Sequence, residues 1–338
     1  MKRTLAISIL GLLLLPLLAA CQAPARPPGF SLDRGAQLLA AGSPKSAIPF
    51  LTQTVAGVPD GPDPVALLSL AYALDLQPDR AILQAQRVRR PSGAPLSWEA
   101  VAVGIAHMTE NRPTQAVTAF QCVGTHTPAA VSARQWCALA QLLAGQRDDA
   151  VTTLESMALE PPLSTSALLW LTLIHEQSGH KDLAAAALRR CAQTVVTASG
   201  EMALTNNLAG ADGQTLYDAG LAALASGDLI KANSLLSRVH ERTADDFDTP
   251  VWLALIGGVT DDWQTCRNRL HVACDTGSTT ARGLACQMVS VICALEDRPT
   301  AIVQYTLLGQ RMMGRTGEPA YIHEQAQPEP VWGADNMR

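Results

Sequence analysis

A small residue followed four positions later by a larger apolar one recurs along this chain. It occurs at Ala47/Leu51, Ala116/Phe120, Ala150/Leu154, Ala184/Leu188, Ala232/Leu236, Cys266/Leu270 and Ala301/Tyr305, with a weaker copy at Ala81/Ala85. The leading residues stand 34, 35, 34, 34, 48, 34 and 35 positions apart. Repetition on that period marks a chain built from copies of one supersecondary unit, none of which can bury its apolar face alone. Residues four apart share a helix face, so the small one admits a second helix and the large one fills the groove beside it. Twelve residues earlier lies a second small residue in most copies: Gly35, Ser69, Gly104, Ala138, Thr172, Gly220 and Ala254. The spacing therefore predicts helix, short turn, antiparallel helix, then a connecting loop. Composition agrees. Only 4% of residues are aromatic while 48% are hydrophobic, and a chain rich in Ala and Leu favours helices where branched and aromatic residues would favour strands.

The shared elements are the A-x3-[FLY] marker, the small residue twelve before it, and closing prolines such as Pro59, Pro128 and Pro162. Over residues 28–316 they resemble the tetratricopeptide repeat family. The resemblance implies an all-α, right-handed superhelix of about eight helical hairpins, here spanning 31–316, with the first helix of each hairpin lining a concave face. Departures are a scarcity of aromatics in the first helices and Cys266 in place of the marker Ala. The 48-residue interval implies an insertion near 194–214, read as a lengthened helix end and a Gly/Asn-rich loop. In the family's frame the concave face carries Trp98, Ile105, Leu139, Leu142, Leu169, Leu173, Tyr217, Leu221, Val251 and Leu255. Such an apolar groove would take an amphipathic or hydrophobic segment; tight coiling that buries the face is the alternative. No Lys or Arg cluster stands where some family members clamp a peptide carboxylate.

The first twenty residues read as a targeting segment. Lys2 and Arg3 precede an apolar run from Leu5 to Leu17, too short for the ~20 residues that span a bilayer. Leu18-Ala19-Ala20-Cys21 resembles the lipobox of bacterial lipoproteins, which implies cleavage after residue 20 and lipidation of Cys21; a secretory leader with an incidental cysteine is the alternative. Residues 21–30, with Pro24, Pro27 and Pro28, form a semi-rigid tether. Gln22 after the cysteine implies, by that family's sorting rule, the outer membrane and a periplasm-facing body.

Seven cysteines follow Cys21, none with C-x2-C zinc spacing. Cys122 with Cys137, and Cys274 with Cys286, fall at nearly the same place in their repeats. Each pair straddles the step from a second helix to the next first helix, so both are disulfide candidates, with small buried hydrophobes as the alternative. Cys191, Cys266 and Cys293 read as core. Asp148 and Asp149 read as helix-start charges. No HExxH, GxSxG or phosphate-binding loop occurs, so no catalytic residue, metal or cofactor is expected. The net charge of −5 offers no basic surface for nucleic acid.

The expected role, by resemblance, is a non-catalytic interaction scaffold or assembly factor for an envelope complex, with pilus or secretion-system assembly as the specific expectation. A periplasmic chaperone is the alternative. The last repeat carries Ile302, Val303, Leu307 and Leu308, and residues 317–338 show no helical period. Either that tail, through Tyr321, Ile322 and Trp332, or self-association with another chain is expected to cover the end of the array.

Overall fold

The computed structural model describes residues 32–58, 61–90, 92–160, 164–199, 210–242 and 248–313. Cys21, its leader and tether, Pro59, Pro162, residues 200–209 of the insertion and the tail with Tyr321, Ile322 and Trp332 lie outside them. The described residues form sixteen helices and no strand. In chain order these are α1 (Leu32–Ala40), α2 (Pro44–Gly57), α3 (Pro62–Leu74), α4 (Pro78–Ala85), α5 (Trp98–Thr109), α6 (Pro113–Gln121), α7 (Ala130–Leu143) and α8 (Arg147–Ala158). They continue as α9 (Ser164–Gln177), α10 (Lys181–Ser199), α11 (Gly213–Ser226), α12 (Leu229–Arg242), α13 (Thr249–Thr260), α14 (Trp263–Thr276), α15 (Thr279–Leu295) and α16 (Pro299–Met313). The protein is all-α, with a repeat-like succession of helix pairs. At 19 residues, α10 is the longest helix, and it runs into the segment the spacing marks as inserted.

One turn recurs inside the pairs. Five residues before the marker, Gly42, Leu76, Asn111, Gly145, Gly179 and Gly227 all take a left-handed backbone. The next residue's N–H reaches back five positions, as in Ser43 to Leu38, Gln77 to Tyr72, Arg112 to His107 and Gln146 to Gln141 (2.8–2.9 Å). This arrangement satisfies carbonyls that a helix end leaves open. Proline then opens α2, α4, α6 and α16, where its missing N–H costs nothing and its fixed φ suits the first turn. The seventh pair departs: Asp261 is not left-handed, and Asp262 instead caps α14 by accepting from the Thr265 N–H at 2.8 Å.

The small residue twelve before the marker faces the large residue four after it, rather than the marker itself. A Cβ on Gly35 would lie 2.6 Å from Leu51 and one on Gly220 2.8 Å from Leu236, while one on Gly104 would run into the Phe120 ring. In the second pair the Ser69 hydroxyl donates to the Ala81 carbonyl at 2.7 Å. The marker residues themselves are buried.

Each helix packs on its chain neighbours, and the first helices also meet each other: α1 on α3, α3 on α5, α5 on α7 and α9 on α13. The line of helices curls until it meets its own end. Helix α15 packs against α7, α9 and α13, and α16 packs against α5. The Arg311 Nε donates to the Gly42 carbonyl at 2.7 Å, closing a gap of 269 residues in sequence. Twelve consecutive residues, 283–294, are buried, as befits a helix enclosed on all sides. Ile302, Val303 and Leu307 of α16 are buried too. The expectation that a tail or a second chain must cover them is therefore corrected, because α5, α15 and the first turn do so.

Candidate functional site

The face expected to grip a partner is the natural place to begin. Trp98 and Ile105 lie on α5, Leu139 and Leu142 on α7, Leu169 and Leu173 on α9, Tyr217 and Leu221 on α11, Val251 and Leu255 on α13. None is more than 7% exposed. These side chains are buried rather than lining an open groove, and α15 packs against α7, α9 and α13, which carry six of them. The physical reason is the curl of the first helices, which draws α7, α9 and α13 onto α15.

The sequence singled out Tyr217, but not the polar partners Asp248 and Trp252 that it meets in this interior. Tyr217 donates its hydroxyl to the Asp248 carboxylate (2.5 Å), and the Trp252 indole N–H donates to the same oxygen (3.0 Å). The three tie α11 to the start of α13. Burial pushes the Asp248 carboxyl up, against the downward pull of its two donors. Burial also drives the Tyr217 phenol well above its usual range, helped by the neighbouring Asp248 charge.

Glu176, next to last in α9, is 5% exposed, and neither carboxylate oxygen meets a hydrogen-bond partner at normal geometry. A Cβ on Gly258 would collide with it, so the carboxyl rests on the bare backbone of α13. Burial raises its pKa to about 8, with the Cys266 thiol and Lys181 pulling the other way. Two signals could have found it: Glu176 is the only acidic residue in α9, and Gly257-Gly258 interrupts an apolar helix.

Of the cysteine candidates, Cys274 and Cys286 are joined by a disulfide, with Cα atoms 5.1 Å apart. It links the end of α14 to α15. Cys122 and Cys137 are free thiols, exposed and buried respectively; Cys137 points into packing where burial pushes it up to about 11. That pair is corrected. Cys191, Cys266 and Cys293 are buried free thiols. His175 and His180 approach with ring centroids 6.3 Å apart, and burial, then His180, lowers the pKa of His175. Among the described residues no three His, Cys, Asp or Glu side chains are grouped to hold a metal. No described helix is long and apolar enough to cross a membrane.

The outer surface holds what remains open. Between α6 and α8 runs a groove of about 390 Å³ edged by Thr114, Thr118, Gln121, Asp149 and Thr152. Leu83, Leu159, Leu183, Ile230 and Val272 stand exposed on second helices or their ends, Ile230 by 85%. Arg190 on α10 pairs with Glu155 on α8 (3.1 Å), and Arg134 on α7 with Glu160 after α8 (2.7 Å); exposed pairs of this kind contribute little stability. Compared with protein-family models the chain matches none, and compared with curated proteins it likewise matches none.

Proposed function

We propose that this protein is a non-catalytic interaction scaffold of the bacterial envelope. It is anchored by lipid on Cys21 to the outer membrane, and its helical body is a tetratricopeptide-like right-handed solenoid of about eight hairpins. The observation that carries the reading is the repeated turn and small-against-large contact, a module whose usual product is extended surface for other proteins. The leader ending in Leu18-Ala19-Ala20-Cys21 supports the address. The Cys274–Cys286 disulfide supports an oxidising compartment. Because the inner face is filled by α15 and α16, partners bind the outer second helices and the turns. Assembly of a pilus or secretion system is the specific proposal.

Two experiments test this. A photo-crosslinking residue at Ile230 in cells should capture one dominant envelope protein, while the same residue at Leu173 should capture none. Many transient clients at Ile230 would favour a chaperone, and capture at Leu173 would mean that the interior opens. Separately, a clickable fatty acid should label the full chain, and Cys21→Ser should abolish both labelling and membrane association; labelling that survives the change defeats the anchor.

A further inference from the structure

Eight residues before the marker, six copies of the repeat hold a buried apolar residue: Leu39, Ala73, Met108, Leu142, Leu224 and Cys293. Two copies break the rule. The fifth pair puts Glu176 there and the seventh puts Gly258. These two meet, since a Cβ on Gly258 would collide with the Glu176 carboxyl. The other peculiarities of the seventh pair gather at the same place. Cys266, standing where the other copies have Ala, brings its thiol to the Glu176 carboxyl. The turn at Asp261 lacks the left-handed residue, and its carbonyl accepts from the Lys181 ammonium at 2.7 Å. In an open array each repeat contacts only its neighbours. Here α9 and α10 of the fifth pair reach past the sixth to α13 of the seventh.

We propose that Glu176 is a proton-operated latch on this seam. Carrying a proton, it lies on Gly258 and holds the fifth pair to the seventh; ionised, it swings out toward Lys181 and releases them. An ionised carboxylate in this buried seat, with no hydrogen-bond partner at normal geometry, loses its hydration without compensation. Protonation removes most of that cost. Lys181, five residues on and exposed, offers the ionised form a partner in water. Burial raises the carboxyl's pKa to about 8, while Cys266 and then Lys181 pull it down. Closure is therefore fully favoured below the ordinary 4.5 and weakens as pH rises toward 8. Among the described residues, the other charges on the elements around the seam are engaged elsewhere. Helix α13 has none, Arg282 of α15 donates to the Cys274 carbonyl, and Arg269 of α14 donates to the Leu253 carbonyl. On α8, Arg147 holds Gln177 and Ser178, and Glu155 pairs with Arg190 of α10. His175 of α9 answers to His180 and Glu155.

The test follows amide hydrogen exchange of the full chain by mass spectrometry, corrected for the intrinsic rate at each pH. Residues 170–180 and 252–264 report the seam, and residues 65–74 of α3 serve as the reference. Seam exchange should be faster than that of α3 and indifferent to low urea, the mark of a local opening. The opening should grow about tenfold per pH unit between about pH 5 and 7 and level off above about pH 8. Glu176→Gln should flatten that response. Lys181→Met should move the levelling point to higher pH, by removing the ammonium that pulls the carboxyl down. Opening that ignores pH in the parent overturns the latch, as does a pH response that survives in Glu176→Gln. Seam exchange with the urea dependence of α3 overturns it too, since the seam would then open only with the whole molecule. A levelling point unmoved by Lys181→Met also overturns it, because Lys181 would have no hold on the ionised form.

Discussion

Leu76, Asn111 and Asp297 hold a left-handed backbone with φ of 57°, a conformation that ordinarily favours glycine. The hairpin turn requires it whatever residue the copy supplies. Gly145 meets the same requirement at φ 72° with nothing within 4 Å of a would-be Cβ. Gly145→Ala should therefore cost about 1–2 kcal/mol from backbone strain alone, read as a shift in denaturation midpoint; an unchanged midpoint would refute the account. Glu176 tests another residue-scale force. Its folded pKa, about 8, lies above the ordinary 4.5, so its contribution is fully present below pH 4.5 and fades as pH climbs toward 8. Glu176→Gln removes the need for a proton. The variant should gain on the order of 3–4 kcal/mol over the parent at pH 7–8, and the gap should close near pH 4. Denaturation curves across that range check it, and a gap independent of pH would point to packing instead.

At the scale of elements, the contact between Gly104 and Phe120 sets how closely α5 and α6 approach. Gly104→Ala should destabilise by roughly 1–3 kcal/mol through overpacking. Adding Phe120→Leu should recover part of that loss, since neighbouring changes do not add; simple additivity in the cycle would count against direct contact. Breaking the Cys274–Cys286 link with paired serines should cost about 2–3 kcal/mol for a loop of this size, measured without reductant. The helix pairs were legible in the sequence because their determinants are local: a marker with its partner four on and a small residue twelve before. Cys274–Cys286 and Cys122–Cys137 looked equivalent by spacing. Only the first pair came together, because Cys122 sits at the exposed end of α6 while Cys137 turns into the core.

The whole molecule depends on sums that no local pattern records. Small rotations from one helix pair to the next decide whether the first helices leave a groove or close on α15. Gln135, Gln287 and Glu176 read as ordinary polar positions until closure buries them. Ile105, Leu139, Leu173 and Leu255, expected to face a partner, are buried, and the helices that carry them pack against the chain's own last pair. A chain ending before Thr279 should thus expose that face, bind a hydrophobic dye and associate, as seen by light scattering; a monodisperse product would mean α15 is dispensable. An open array of such pairs stretches like a spring under tension, because each unit touches only its neighbours. The Arg311 guanidinium on the Gly42 carbonyl works as a clasp. A load drawn between the first pair and the last meets that fastening before it meets any coil, so the body resists as a closed link and then gives way in one step.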